Sequence, residues 1–187
     1  MNKNVLVVLG GPRKKGFSTY LGKMVSENLQ SRGCKVENLS LSNLEIKPCI
    51  ACDSCRKEEA KYCVLKDDMQ PLYDKIKFSD LVVIACPIYW FSINAKTKLF
   101  LDRFYGFNTE KTKSLKDKKF GIILSYGDED PYSSGAVNAI RMFEDSFKYT
   151  KSHLVGFLYK KEILESERMN NEALSLEIEK YSQLLIK

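Results

Sequence analysis

Hydrophobic and polar positions follow two different periods along the chain, and the two periods alternate from one end to the other. Short, unbroken apolar runs such as residues 5–9 and 81–85 are typical of strands that are covered on both faces. Between such runs, apolar residues recur every three or four positions, which is the spacing of an amphipathic helix. We therefore predict an α/β fold with a parallel sheet, because right-handed crossovers between parallel strands place helices on both faces.

This pattern predicts five strands and five helices. The strands are expected at residues 5–9, 34–41, 81–85, 120–124 and 154–159. The helices are expected at residues 18–32, 67–78, 92–104, 133–149 and about 174–185. The strands favour the order 2-1-3-4-5, in which ligands bind outside the carboxyl ends of the strands.

The predicted helices carry expectations for individual positions. Ser18 or Thr19 is expected to cap the first helix, and Gly33 is expected to end it. The inward positions of the third helix are predicted to be Ile93, Phe100 and Phe104. The outward positions are predicted to be Lys96, Lys98 and Arg103.

Length and composition bound the class of protein. A chain of 187 residues with 44% hydrophobic residues can bury a core without disulfides. We expect one domain over residues 1–187, with a cysteine-rich insertion at about 48–66. No apolar stretch reaches the length that spans a bilayer, and the first residues lack the pattern of a secretory signal, so the expected location is the cytoplasm.

The net charge of +6 comes from lysines that are spread along the chain, so a nucleic-acid-binding arm is not indicated. The densest run is interpreted as a solvated loop leading into a strand: Lys111, Lys113, Lys116, Lys118 and Lys119. The single histidine, His153, opens a predicted strand and is interpreted as structural. No serine–histidine–aspartate set or zinc-binding histidine pair occurs in the sequence, which disfavours hydrolysis.

Three loops at the carboxyl ends of predicted strands contain the candidate chemistry. Residues 10–19 combine small residues with the hydroxyls of Ser18 and Thr19 at a helix start, which suits a phosphate; a plain glycine–proline turn is the alternative. Residues 86–94 carry flat aromatic side chains that can support a planar heterocycle, or else cap the core or form an interface. Residues 125–128 follow the next strand and complete the predicted edge.

Four of the six cysteines fall within residues 49–63, with the spacing C-x2-C-x2-C-x7-C. Short, even spacing lets three thiolates converge on an iron–sulfur cluster while a longer loop brings the fourth. A four-thiolate zinc site and metal-free thiols are the alternatives. Cys34 and Cys86 lie outside this spacing and are interpreted as small buried side chains.

The loop Gly10-Gly11-Pro12-Arg13-Lys14 resembles the Gly-Ser-Pro-Arg-Lys loop of the NADPH-dependent FMN reductase and iron-sulfur flavoprotein families, with Gly11 in place of the usual serine. The segment at residues 86–89 resembles their Ser-Pro-(Val/Ile)-Tyr segment along the isoalloxazine ring, and residues 125–128 resemble their third flavin loop. The cysteine spacing is similar to the compact [4Fe-4S] motif of iron-sulfur flavoproteins. The resemblance runs over residues 5–153 and implies a flavodoxin-like three-layer sandwich.

The resemblance also implies a set of site residues. Arg13, Ser18 and Thr19 would hold the FMN phosphate, and Asp102 and Arg103 would brace their helix and a subunit contact. The implied cofactor-binding residues are Gly11, Pro12, Arg13, Phe17, Ser18, Thr19, Pro87, Ile88, Tyr89, Trp90, Phe91, Ser92, Tyr126 and Gly127. The implied ligands of a [4Fe-4S] cluster are Cys49, Cys52, Cys55 and Cys63.

The function implied by the resemblance is that of an FMN-dependent oxidoreductase, which passes electrons from NAD(P)H or another donor to a small-molecule or protein acceptor. An electron carrier without a substrate of its own is the main alternative, and a structural zinc module is a third. The resemblance further implies a homodimer or larger assembly. Aromatic residues expected to be exposed near the site agree with that assembly: Trp90, Phe91, Phe104, Tyr105 and Phe107.

Overall fold

The computed structural model describes residues 3–60, 62–109 and 114–187, so Lys111 and Lys113 of the predicted lysine-rich loop lie outside the described residues. Six strands occur in these ranges. They are β1 (Asn4–Leu9), β2 (Lys35–Ser40), β3 (Leu81–Tyr89), β4 (Ser92–Ile93), β5 (Lys119–Tyr126) and β6 (His153–Lys161).

The helices alternate with the strands along the chain. They are α1 (Phe17–Ser31), α2 (Met69–Phe78), α3 (Ala95–Asp102), α4 (Ala136–Thr150), α5 (Glu165–Arg168) and α6 (Glu172–Ile186). Three short 3₁₀ turns lie at Leu41–Asn43, Ser54–Arg56 and Arg103–Gly106. Within the described ranges, none of the helices combines the length and the apolar character needed to cross a membrane.

Five parallel strands form the main sheet in the order β2-β1-β3-β5-β6, which confirms the predicted fold class and strand order. The sixth strand, β4, was not predicted and pairs antiparallel with the end of β3. Sequence analysis had placed residues 92–94 inside the third helix. The chain instead reverses at Trp90 and Phe91, whose φ angles are 49° and 64°, so α3 begins only at Ala95.

Both faces of the central strands are buried, because successive residues of a strand point to opposite sides and helices pack on each side. Leu6 and Val8 of β1 belong to the core that packs against α2, α3 and α4. Val5 and Val7 belong to the second core, which packs against α1 and α6. The result is the predicted three-layer arrangement, with β3 in the centre between β1 and β5 and the carboxyl ends of these strands on one edge.

The start of α1 differs from the prediction that Ser18 or Thr19 caps it. The helix begins at Phe17, and Gly16 is its N-cap residue. Ser18 and Thr19 therefore lie inside the first turn, where both side chains are buried. Gly33 follows the helix with a φ of 84°, as expected for the glycine that ends it.

The predicted facing of the third helix was wrong at one important position. Ile93, Phe100 and Phe104 are buried as predicted. Arg103, predicted to face outward, is only 1% exposed because it forms an ion pair with Asp67 inside the protein. Phe107 was predicted to be exposed and is buried. Phe104 was also expected among the exposed aromatics, in conflict with its inward position on the helix, and its burial agrees with the helix position. The rings of both residues pack on other core rings.

The cysteine-rich segment lies between β2 and α2 and is anchored at both ends. The carboxylate of Asp68 accepts the amide of Glu45 over 2.7 Å, and the carboxylate of Asp67 accepts the amide of Lys47 over 2.9 Å. The amide of Asp68 in turn donates to the carbonyl of Glu45 over 3.3 Å. These bonds close the segment into a loop on the side of α2 and α3.

Candidate functional site

The three loops predicted to hold the candidate chemistry meet at the carboxyl edge of the sheet. The amide of Gly10 donates to the carbonyl of Ala85 over 2.7 Å, which joins the first loop to β3. The side-chain amide of Asn94 donates to the carbonyl of Gly10 over 2.8 Å, and the hydroxyl of Thr97 donates to Asn94 Oδ1 over 2.7 Å. Because Asn94 and Thr97 are buried, this chain of bonds fixes the first loop against the start of α3.

The first loop leads into a helix N-terminus that no side chain of the N-cap residue covers. Gly16 is the N-cap of α1, and glycine has no side chain to accept a hydrogen bond from the first turn. The hydroxyl of Thr19 donates to the carbonyl of Arg13 over 3.1 Å and so holds the loop over that turn. Amides without a partner in the helix and the positive end of the dipole make such a terminus an anion site.

Gly11 keeps the space in front of this terminus open. A Cβ added at Gly11 would lie 2.9 Å from Ser18 Oγ and 3.0 Å from Thr19 Oγ1. The absence of a side chain at Gly11 therefore leaves both hydroxyls within reach of a small anion. This cradle of amides and hydroxyls fits the phosphate of FMN.

The hairpin between β3 and β4 presents three aromatic side chains. Tyr89, Trp90 and Phe91 are 41%, 93% and 55% exposed. Bulky residues in the left-handed region, such as Trp90 and Phe91, are strained and persist only where neighbouring structure holds them. A group of exposed aromatics on a strained hairpin marks a binding surface.

The loop that precedes α4 holds this hairpin in place. Gly135 has a φ of 75°, and a Cβ added there would lie 2.6 Å from the Cα of Phe91. The side-chain amide of Asn138 donates to the carbonyl of Phe91 over 3.1 Å. The second and third loops are therefore in direct contact, which sequence analysis did not predict.

The third loop begins at the end of β5. Tyr126 is 9% exposed, and its burial raises the pKa of the phenol, so the hydroxyl is neutral near pH 7. A Cβ added at Gly127 would meet no atom within 4 Å, so the backbone there faces open space. The amides of Ser133 and Tyr132 donate to the carboxylate of Asp130, which stabilises the turn and lowers the pKa of this carboxyl.

The remaining predicted site residues lie around these loops. Pro12, Arg13 and Ser92 are exposed, whereas Pro87 and Ile88 are half-buried. Phe17 is 2% exposed and packs in the core beneath the loop rather than facing the edge.

Arg168 supports the first loop from the far end of the chain. Its guanidinium lies 5.0 Å from the centre of the Phe17 ring and donates to the carbonyl of Lys15 over 2.9 Å. Sequence analysis missed Arg168, because α5 lies outside the region of resemblance and nothing in its local pattern points to the loop.

The four clustered cysteines line one small concavity beside the 3₁₀ turn Arg103–Gly106. All of them are free thiols; Cys49 and Cys52 are exposed, Cys63 is half-buried and Cys55 is buried. A Cβ added at Gly106 would lie 3.1 Å from the Cβ of Cys63 and 3.5 Å from the Cβ of Cys55. The four thiols that the sequence spacing groups therefore line one concavity, and that they bind a metal stays a prediction.

Among the described residues, the thiols are not arranged as a coordination shell. In the part of the chain that the structure describes, no three histidine, cysteine, aspartate or glutamate side chains are arranged as a metal site. The donor set nevertheless has the chemistry of an iron–sulfur or zinc ligand group, because four thiols line the same concavity. The residues therefore fit a cysteine-bound metal group in type and location.

Polar contacts fasten the cysteine segment to the neighbouring turn. The hydroxyl of Tyr105 donates to the carboxylate of Asp53 over 2.8 Å, and Arg56 Nε donates to the Tyr105 oxygen over 2.6 Å. The Arg56 guanidinium also lies 4.5 Å from the centre of the Tyr105 ring. Because Asp53 and Arg56 flank Cys55, these contacts hold that part of the segment against the Arg103–Gly106 turn.

A buried ion pair underlies the concavity. Arg103 Nη1 donates to Asp67 Oδ2 over 2.5 Å and to the carbonyl of Lys47 over 3.0 Å. Burial, the largest influence, would raise the pKa of the Asp67 carboxyl, but hydrogen bonds from Arg103 and from the Lys47 amide outweigh it. The pKa of Asp67 is therefore lowered, and the pair is ionised near neutral pH.

The doubly wound sheet and the three loops at its carboxyl edge are those of a flavodoxin-like protein. Residues 3–147 match the family model of the NADPH-dependent FMN reductases. The chain belongs to this family.

Curated relatives match slightly less than two thirds of the chain. An iron-sulfur flavoprotein of Archaeoglobus fulgidus is 33% identical over 119 residues, which are 64% of this chain and 52% of the relative. An iron-sulfur flavoprotein of Methanosarcina thermophila is 32% identical over 64% of this chain and 61% of the relative. The matched region thus spans only about half to three fifths of these relatives.

Solved structures show the same fold. An NAD(P)H:quinone oxidoreductase from Methanothermobacter marburgensis superposes with a TM-score of 0.74 at 16% identity, over 98% of each chain. An FMN-dependent NADH-azoreductase from Bacillus anthracis in complex with FMN superposes with a TM-score of 0.66 at 13% identity, over 98% of this chain and 100% of that one. At such identities the likeness concerns the fold alone.

Proposed function

We propose that this protein binds FMN across the three loops and acts as an oxidoreductase, which takes electrons from NAD(P)H or another donor and passes them to a small-molecule or protein acceptor. The observation that carries the proposal is the meeting of three features on one edge of the sheet. These are the open N-terminus of α1, the exposed aromatic hairpin at Trp90 and the open backbone at Gly127. Membership of the NADPH-dependent FMN reductase family supports the same conclusion.

The phosphate end of FMN would be held by the first loop. Arg13 supplies an exposed positive charge, and Ser18 supplies a hydroxyl donor beside the amides of the first turn. Thr19 would donate to the phosphate by giving up its bond to the carbonyl of Arg13. Gly11 and Pro12 shape the loop and leave the approach free. Phe17 supports the loop from the core, and its contact with Arg168 keeps the turn in position.

The ring of FMN would lie against the second and third loops. The residues proposed for this part are Pro87, Ile88, Tyr89, Trp90, Phe91, Ser92, Tyr126 and Gly127. Flat side chains and exposed backbone amides suit a planar heterocycle. Bound FMN would supply hydride-accepting chemistry. The protein would bind and orient the ring, and we assign no acid–base role to a side chain.

We also propose that Cys49, Cys52, Cys55 and Cys63 hold a [4Fe-4S] cluster. Their common concavity, their free thiols and the spacing of two short steps and one long step support this assignment. The iron-sulfur flavoproteins among the relatives agree with it. A zinc ion in the same thiols, or no metal, would each give a distinct metal content.

An assembly of two or more copies is proposed from the exposed aromatic hairpin. Trp90 is 93% exposed and sits beside Phe91 at the edge where the cofactor would bind. Burying such side chains against a second copy would remove apolar surface from water and close the site.

A second function, that of an electron carrier between redox proteins, is supported by one observation. Cys49 and Cys52 are exposed, so a cluster at these thiols would lie close to the protein surface, where a partner could exchange electrons with it. A carrier and an enzyme differ in turnover. Only the enzyme should oxidise NAD(P)H rapidly in the presence of a small quinone.

The deciding experiment is anaerobic purification followed by an absorption spectrum and quantitation of flavin, iron, sulfide and zinc. We expect one FMN with about four irons per chain, and multiple turnovers with NAD(P)H and a quinone. Absence of FMN after reconstitution would refute the flavoprotein proposal. FMN without iron would refute the cluster alone, and FMN with slow nicotinamide oxidation but fast exchange with a ferredoxin would favour the carrier.

A further inference from the structure

Arg103 has a buried hydrogen-bond donor that the protein leaves without an acceptor. Its side chain is fully buried. Nη1 donates to Asp67 and to the carbonyl of Lys47, and Nη2 donates to Asp67 Oδ1 over 3.3 Å. Nε has no hydrogen-bond partner among the described residues. Buried donors on charged groups are nearly always paired, so this orphaned N–H calls for a partner.

Arg103 lies where a partner could be bound. It lines the same concavity as Cys49, Cys52, Cys55 and Cys63. Its own turn ends at Gly106, which lies against the Cβ atoms of Cys55 and Cys63. The guanidinium and the thiols therefore share one small space, although the two are far apart along the chain.

The position of Arg103 is fixed from three sides. The carboxylate of Asp67 and the carbonyl of Lys47 hold the guanidinium, and the hydroxyl of Tyr73 donates to the backbone carbonyl of Arg103 over 3.3 Å. A guanidinium is planar and permanently charged, so two fixed nitrogens also fix the direction of the third N–H. Arg103 is thus a rigid donor rather than a mobile surface cation.

We propose that Arg103 is a positioning residue for the cysteine-bound cluster, with Nε–H as a donor to a sulfur of the cluster or of its cysteine ligands. This inference rests on the proposed [4Fe-4S] group. A hydrogen bond and a positive charge next to the sulfurs stabilise the reduced cluster more than the oxidised one, because the reduced cluster carries one more negative charge. Arg103 therefore raises the reduction potential of the cluster.

The test compares cluster potentials in variants in which no carboxylate is left buried without a partner. Removing Arg103 alone would leave the Asp67 carboxylate buried without a partner, so Asp67→Asn serves as the background. The pair to compare is D67N and D67N with R103Q, each loaded and titrated anaerobically while the reduced cluster is followed by electron paramagnetic resonance. Arg103→Lys keeps a positive charge but lacks Nε–H. Arg141→Gln, on the surface beside Asp145, controls for the loss of net charge.

Adding R103Q to D67N should lower the equilibrium constant for cluster reduction about tenfold, which equals about 59 mV for a one-electron couple. R103K should show a smaller fall, and R141Q none. If the double variant assembles no cluster, R103K is compared with the wild type. A lower potential in R103K would support the role of Arg103, and an equal potential would overturn it. Equal potentials in D67N and in D67N with R103Q, both with full iron and sulfide, would overturn the role of Arg103 but not the proposed cluster. A wild-type protein without iron and sulfide would overturn the proposed cluster and this inference with it.

Discussion

The side-chain amide of Asn94 lies 2.8 Å from the carbonyl oxygen of Gly10, a residue 84 positions earlier in the chain. The bond joins the first loop to the residue that precedes α3. Both partners are buried, so water cannot replace the Asn94 amide as the donor to the Gly10 carbonyl. The shape of the first loop therefore depends on a side chain in the second.

Asn94→Ala should destabilise the protein and weaken FMN binding together. Leaving the buried Gly10 carbonyl unpaired costs about 1–3 kcal/mol, and a loosened loop should lower FMN affinity about tenfold. Denaturant unfolding and titration of FMN fluorescence measure the two effects. Asn28→Ala is the matched control, because its amide bonds only to Met24 on its own helix. Equal FMN affinities in N94A and wild type would contradict the proposed coupling.

Two glycines of the third loop should respond differently to alanine. Gly135→Ala forces a side chain into a positive φ and within 2.6 Å of the Phe91 backbone, so we expect a loss of about 1–3 kcal/mol. Gly127→Ala adds a methyl group to open space and should leave the melting temperature almost unchanged. Thermal unfolding of both variants is the measurement. Equal melting temperatures of the two variants would contradict the predicted clash between a side chain at residue 135 and Phe91.

Trp90 should report cofactor binding directly. It is the only tryptophan in the chain and is 93% exposed, so its emission in the FMN-free protein should be that of a water-exposed indole. Binding of FMN against the hairpin should quench this emission in proportion to the bound fraction. Titration of the protein with FMN gives the affinity. Trp90→Phe should abolish the signal while FMN fluorescence still reports binding; unquenched emission at saturating FMN would place the ring elsewhere.

The ion pair between Asp67 and Arg103 should make stability depend on acid pH. The pKa of Asp67 in the folded protein is lower than its ordinary value of 3.8. The stabilisation by the ionised carboxylate is therefore complete above pH 3.8 and is lost as the pH falls through the lower folded pKa.

Asp67→Asn should cost about 3–5 kcal/mol at neutral pH, because it leaves Arg103 buried without its counter-charge. The difference between wild type and D67N should shrink below pH 3.8. Denaturant unfolding at a series of pH values checks both statements. Asp145→Asn, at an exposed pair with Arg141, should change stability by less than about 1 kcal/mol. A constant difference across the acid range would contradict the role of Asp67.

Much of the fold and part of the site could be read from the sequence. The apolar runs located all five parallel strands to within a few residues, and the alternation with helices predicted their order. The cysteine spacing predicted that four thiols share one region. Loops were predictable where a strand end and a helix start fell close together, as at Gly11 and Ser18.

Other features depended on contacts between distant residues. Local spacing placed Arg103 outside, because a charged residue on an amphipathic helix is normally solvated. Asp67, 36 residues earlier, decides otherwise by supplying a buried counter-charge. The exposure of Phe107 was mispredicted for the same reason, since its ring packs on Tyr73 of another element.

The sequence by itself determined the alternation of strands and helices, the sheet order, the family and the grouping of the cysteines, because each is recorded in short-range pattern or spacing. Only the tertiary structure decided that Asn94 holds Gly10, that Gly135 seats Phe91 and that Arg103 faces the cysteine concavity. Such contacts join loops that the sheet brings to one edge or helices that pack across one core. Their geometry depends on where whole elements lie, and a local pattern of polar and apolar residues carries no information about that.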